Sequence, residues 1–209
     1  MFPKPHHYAR RSILIWPLIV LLTVGCDSKP RLNPLSQNGV ILSFGDSLTY
    51  GTGTTREQAY PARLQNLVSR PVINAGIPGE VSQSGLQRLP ALLKRHRPEL
   101  LILCHGGNDI LRRYDLKQTR DNLQKMIDLA RANNTQVLMI GVPQFGIFLS
   151  AAPFYQELAD TNQLPLENET LSMILKKSAL KSDQIHPNAE GYSLMAEHIH
   201  ALLKSSGAI

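Results

Sequence analysis

The 209-residue chain reads as an α/β protein, a three-layer α/β/α sandwich around a mostly parallel sheet. Three observations predict this. From residue 40 onward, short apolar runs alternate with stretches of helical periodicity, the order that strand–helix repeats require. The most apolar run, Leu100-Leu101-Ile102-Leu103-Cys104, shows no polar–apolar alternation, as suits a strand covered on both faces. Segments rich in Gly, Asn, Asp and His directly follow predicted strands, where open α/β sheets bind their ligands.

Each element has its own warrant. Residues 40–44 are short, mostly apolar and ended by Gly45, hence a buried strand. A helix follows over 60–68, then a short strand over 72–74 closed by Gly76 and Pro78. Leu86, Leu89 and Leu93 share one face of a helix over 84–94, in which Pro90 should cause a kink. After the strand at 100–104, Leu123, Met126, Ile127 and Ala130 give a helix over 118–132. Residues 137–142 form the next strand, stopped by Pro143. Between 144 and 180 the pattern weakens, with helical stretches at 152–161 and 170–178. The last helix, 189–205, aligns Tyr192, Met195, Ala196, Ile199 and Leu202 on one face.

The N terminus stands apart. Lys4, Arg10 and Arg11, with His6 and His7, precede a 12-residue apolar run from 13 to 24, a signal-peptide pattern over residues 1–25. A retained signal anchor is the alternative. The run is short of the roughly 20 apolar residues a membrane span needs, and Pro17 interrupts it. Leu22-Thr23-Val24-Gly25-Cys26 resembles a bacterial lipobox, although Thr23 stands where Leu is usual, so Cys26 is the expected lipidation site. Asp27 next to such a Cys resembles a signal for retention in the inner membrane, facing the periplasm. Residues 26–38 are then the lipidated Cys and a tether, and 39–209 the folded domain. With Cys26 lipidated, Cys104 has no partner for an internal disulfide and reads as a small core residue.

The net charge of +6 falls to +3 once the signal segment, basic and without acids, is set aside. No Lys/Arg cluster is interleaved with aromatics, so nucleic acid is not an expected partner. No His/Cys spacing suits zinc, and Arg56 stands where the third glycine of a dinucleotide loop would be, so neither metal nor cofactor is expected.

Four short blocks carry the chemistry: Phe44-Gly45-Asp46-Ser47-Leu48-Thr49, Asn74-Ala75-Gly76-Ile77-Pro78-Gly79, His105-Gly106-Gly107-Asn108-Asp109 and Asp183-Gln184-Ile185-His186-Pro187-Asn188. A serine hydroxyl is a weak nucleophile and needs a base, and Ser47 follows a strand in a tight Gly45 turn. His186 can supply the base, and Asp183, three residues earlier in one loop, can orient its ring. Asn188 is a favoured N-cap that would fix this loop at the start of the last helix. Asp46, Asp109 and His105 read as residues that brace their own loops.

In order and context the blocks resemble those of the SGNH (GDSL) hydrolases, in particular the acyl-CoA thioesterase/lysophospholipase and arylesterase members. The likeness runs from about residue 41 to the last helix and includes Gly85-Leu86-Gln87-Arg88-Leu89-Pro90. The resemblance implies a flavodoxin-like sheet, Ser47, Asp183 and His186 as catalytic residues, and an oxyanion hole from the backbone N–H of Ser47, the backbone N–H of Gly79 and the Asn108 amide. The substrate would be an acyl ester or thioester. Aromatic and aliphatic residues cluster at Phe145, Ile147, Phe148, Phe154 and Tyr155, the candidate acyl-binding positions. A monomer is expected. The alternatives are a carbohydrate or peptidoglycan O-acetylesterase, and a non-catalytic lipoprotein that binds acyl chains or glycans. Free imidazoles titrate near about 6.5, so a His186 base predicts activity rising from about pH 5 to 8.

Overall fold

The computed structural model describes residues 1, 2, 4, 30–144 and 149–209. The signal segment, Cys26, Phe145, Ile147 and Phe148 lie outside the described residues.

In chain order the strands are β1 (Ile41–Gly45), β2 (Val72–Gly76), β3 (Leu100–Cys104), β4 (Gln136–Ile140), β5 (Pro143–Gln144), β6 (Ser150–Ala151) and β7 (Leu166–Glu167). Five of them form one sheet in the order β2-β1-β3-β4-β7, every neighbour parallel. All of β1 and β3 is buried, which is why β3 reads as an unbroken apolar run and β1 as one interrupted only by Ser43. β5 and β6 make a separate antiparallel pair. The helices are α1 (Ser47–Tyr50), α2 (Tyr60–Val68), α3 (Ser82–His96), α4 (Gly107–Leu111), α5 (Leu116–Ala132), α6 (Pro153–Asn162), α7 (Thr170–Lys176) and α8 (Ala189–Ser206). α2 packs with α8 and α3 with α5, giving the two outer layers.

This strand order is the flavodoxin-like doubly wound one. The chain moves from β1 outward to β2 and then returns to the other side of β1 as β3. The crevice at that reversal lies beyond Gly45 and Cys104, and Ser47 and Asn108 follow those two ends within a few residues.

Several elements depart from the sequence pattern. α3 extends two residues beyond the expected 84–94 at each end, with Pro90 inside it. β4 ends at Ile140 rather than 142, and Pro143 lies in β5. β7 has only two residues, too few for any period to show, and completes the sheet edge beside β4. The segment expected to be a tether is docked from Leu32 on. Leu32 and Leu35 are buried, and their N–H groups donate to Ser206 O (2.9 Å) and Ala208 O (2.8 Å). Ser36 Oγ and N–H both donate to Glu99. Two apolar side chains in a polar, Pro-containing stretch fastened this strap to the end of α8. Among the described residues no helix is long and apolar enough to cross a membrane.

Candidate active site

Ser47 opens α1 directly after β1. Asp46 caps that short helix, its Oδ1 accepting from Leu48 N–H at 3.1 Å, and left-handed Gly51 ends it. The tight strand–helix turn points the Ser47 hydroxyl out of the sheet edge, where His186 meets it: Ser47 Oγ lies 3.0 Å from His186 Nε2. The other ring nitrogen, Nδ1, lies 2.7 Å from Asp183 Oδ2. A carboxylate there accepts the Nδ1 proton, so the Nε2 lone pair faces the serine. Asp183 Oδ1 accepts from Ile185 N–H and His186 N–H, each at 2.8 Å. Partial burial pushes the Asp183 carboxyl up, but the hydrogen bonds from the His186 ring and the two N–H groups outweigh it and hold it below the ordinary carboxylate range. Asn188 caps α8 as its position suggests, accepting from Glu190 N–H at 3.1 Å and Gly191 N–H at 3.0 Å.

Gly79 sits at φ +76°, a left-handed conformation that favours glycine, where an added Cβ would lie 3.8 Å from the Arg112 guanidinium. Its loop follows β2, and Ile77 N–H donates to Gly45 O at 3.1 Å, next to the serine. Asn108, in the first turn of α4, points its amide into the same region. Its Nδ2 donates to Glu80 O at 3.0 Å and lies 3.3 Å from Asp46 Oδ2. Among the described residues the backbone N–H groups of Ser47 and Gly79 donate to no protein acceptor. Asp46 is buried between these parts. Burial pushes its carboxyl up, against the weaker pull of His105, the Leu48 N–H and His186.

A cavity of about 370 Å³, including its open mouth, adjoins Ser47 and His186. Its apolar wall is Leu48, Leu111, Val142, Pro143, Leu175 and Ile185. Phe154 and Tyr155, candidates for that wall, are elsewhere. Both are buried, their rings 4.3 Å apart, and the Tyr155 hydroxyl donates to His105 O at 2.7 Å. They brace the core because α6, which carries them, packs against β4 and α5. Cys104 is a fully buried core residue, its thiol pushed up by desolvation.

Three residues near the site escaped the sequence reading as a unit. Glu80, Arg88 and His105 form a cluster beside Gly79 and Asn108, with Glu80 and His105 buried and Arg88 half-buried. The available signals were Arg88, placed in phase with the apolar face of α3, and Gly85 in the first turn of that helix. Any side chain at 85 would run into the His105 ring. Asp109 and His105 do brace loops: Asp109 accepts from Ser82 N–H at 2.8 Å and Ser82 Oγ at 2.7 Å. Among the described residues no group of three or more His, Cys, Asp or Glu is placed to hold a metal ion.

A doubly wound sheet with a serine, an imidazole and a carboxylate in hydrogen-bond series at its switch point defines a class of serine ester hydrolases. The chain belongs to the GDSL-like lipase/acylhydrolase family, whose model matches residues 43–194. It is 33% identical over 165 residues to thioesterase 1/protease 1/lysophospholipase L1 of Escherichia coli strain K12, covering 75% of this chain and 79% of that protein. An arylesterase of Vibrio mimicus is 32% identical over 170 residues, covering 76% and 85%. Among solved structures, the psychrotrophic esterase EstA of a Pseudoalteromonas species superposes with a TM-score of 0.72 at 25% identity, over 80% of this chain and 98% of that one. The protein is an ester-hydrolysing enzyme of this family.

Proposed function

We propose that this enzyme cleaves acyl esters and thioesters through an acyl-Ser47 intermediate. The observation that carries the reading is the unbroken series Ser47 Oγ–His186 Nε2 (3.0 Å) and His186 Nδ1–Asp183 Oδ2 (2.7 Å). As Ser47 Oγ attacks the carbonyl carbon, its proton moves to His186 Nε2. Asp183 holds the ring and stabilises the imidazolium. The negative oxygen of the tetrahedral intermediate faces the N–H groups of Ser47 and Gly79 and the Asn108 amide. Collapse breaks the bond to the alcohol or thiol, which takes the proton from His186. Water then attacks the acyl-Ser47 carbonyl, gives its proton to His186, and Ser47 leaves with that proton as the free acid departs.

The apolar cavity wall and the thioesterase, lysophospholipase and arylesterase names of the relatives support an acyl substrate. They favour neither the carbohydrate O-acetylesterase nor the non-catalytic binding alternative. Export as a monomer, held at the membrane through a lipidated Cys26 with Asp27 retaining it in the inner membrane, rests on the N-terminal pattern. Cys26→Ser is expected to release the protein from membranes with turnover intact; unchanged retention would refute lipidation. For the chemistry, Ser47→Ala should lower kcat on p-nitrophenyl butyrate by about 10⁴-fold or more and abolish labelling by a fluorophosphonate probe. Retention of activity within tenfold would overturn the reading.

A further inference from the structure

The groups that would receive the oxyanion come from three separate strand ends, and a cluster of Glu80, Arg88 and His105 links all three. Glu80 follows Gly79 directly, and its carboxylate turns inward and is buried. Arg88, from α3, grips it as a fork: Nε donates to Oε1 and Nη2 to Oε2, both at 2.7 Å. Arg88 Nη2 also reaches Ala75 O at 2.8 Å, near the end of β2, and Gly45 O at 3.2 Å, at the end of β1. The guanidinium lies 4.1 Å over the Phe44 ring. From the end of β3, His105 Nε2 lies 3.1 Å from Glu80 Oε2. His105 Nδ1 accepts from Gly106 N–H at 2.9 Å, so the ring proton is on Nε2 and points at Glu80. At the other end of the same residue, the Glu80 carbonyl accepts from the Asn108 amide.

Glu80 therefore joins both oxyanion donors outside the nucleophile loop. Its main chain continues from Gly79, its carbonyl orients Asn108, and its carboxylate fixes both against the ends of β1, β2 and β3. We propose that Glu80 is a positioning residue for ester hydrolysis, held by Arg88 and His105, that sets the Gly79 N–H and the Asn108 amide where the oxyanion forms. This rests on the assignment of Ser47 as nucleophile above. Catalytic donors must sit within a few tenths of an ångström of the developing charge, so a loosened clamp costs rate rather than substrate binding. A carboxylate is suited to the place because four acceptor sites on two oxygens can take the Arg88 fork and the His105 proton together. A Gln amide would turn an NH₂ toward one of those donors.

The test compares the full-length wild type, Ser47→Ala, Glu80→Gln, Asn108→Ala and the Glu80→Gln/Asn108→Ala double variant on p-nitrophenyl butyrate. Thermal unfolding of each fixes an assay temperature at which all are folded. Glu80→Gln is expected to lower kcat about 10- to 100-fold with KM within about twofold. The double variant should be little slower than Asn108→Ala alone, because the two residues act on one group. Unchanged kcat in folded Glu80→Gln, or losses that multiply in the double variant, would overturn the proposal. Should Glu80→Gln show no cooperative unfolding, Arg88→Lys replaces it: this keeps the cation, loses the fork, and is expected to lower kcat several-fold at constant KM, with unchanged kcat again overturning the proposal. A Ser47→Ala variant that still turns over would refute the nucleophile instead, whatever the clamp variants do.

Discussion

Two regions flank Ser47, and they are built on opposite plans. The base loop is local and wet. Asp183, half exposed, spends three of its hydrogen bonds on Ile185 and His186 of its own loop, and the following Asn188 pins the loop to α8. The proposed oxyanion side is distributed. Gly79, Glu80 and Asn108 make bonds that span 8 to 62 residues of chain, and although Gly79 is exposed and Asn108 half-buried, they rest on the buried Glu80, Asp46 and His105. A loop whose geometry is set by its own backbone can change a side chain without disturbing the fold. A buried network cannot, because each group removed leaves another without a partner.

That contrast is broken if the two sides respond alike to substitution. Asp183→Asn should cost about 10³- to 10⁴-fold in kcat, since an amide N–H facing Nδ1 would favour the wrong ring tautomer. Its stability should stay within about 1 kcal/mol of wild type, because Asn can still accept from the two loop N–H groups. A large stability loss in urea unfolding would mean the loop is not self-sufficient. The depressed Asp183 carboxyl adds a sign: its stabilising effect is present above its unfolded value of 3.8 and is lost only as pH falls through its lower folded value. An activity loss between about pH 8 and 5 therefore does not belong to Asp183. An acid limb that disappears in Asp183→Asn would contradict this.

Asn108→Ala should behave differently, losing about 10²- to 10³-fold in kcat and also about 1–3 kcal/mol of stability. The second loss arises because Glu80 O and Asp46 lose a donor in a buried setting. A purely kinetic defect would show that water replaces the amide freely, and that the oxyanion side is as wet as the base loop.

The same division explains what could be read from sequence. The proposed base, its carboxylate and the helix cap lie within six residues, so one loop presents all three together: Asp183, His186 and Asn188. The fully buried strand at 100–104 was plain as an unbroken apolar run, and the helix at 60–68 has the bounds expected of it. The clamp was not. Glu80 and His105 are 25 residues apart, on a loop and after a strand, and no periodicity links them. The edge strand β7 was invisible because two residues carry no pattern. Phe154 and Tyr155 were misplaced because aromatic density marks a buried face as readily as a binding wall, and only the packing of α6 decides which.

Asp46 lies at the seam of the two regions and gives the smallest and sharpest discrimination. It is buried, caps α1 and faces the Asn108 amide, and burial raises its carboxyl above the unfolded value of 3.8. For an acid shifted that way, ionisation is harder in the folded state. Its stabilising effect is full below pH 3.8 and is lost as pH rises through the folded value. Glu80 runs the other way. Burial pushes its carboxyl up, but His105 and Arg88 outweigh this, so its effect is present above its unfolded value of 4.5 and lost as pH falls through its folded value. Asp46→Asn keeps an acceptor for Leu48 N–H but cannot ionise. As pH rises above 3.8, its stability relative to wild type should therefore improve until Asp46 is ionised in the folded protein, whereas that of Glu80→Gln should decline as pH rises toward 4.5 and stay level above it. Urea unfolding of both variants at several pH values checks the opposing slopes. Parallel curves would mean that the buried seam carries no ionic strain, and that the two sides of the serine differ in reach but not in electrostatics.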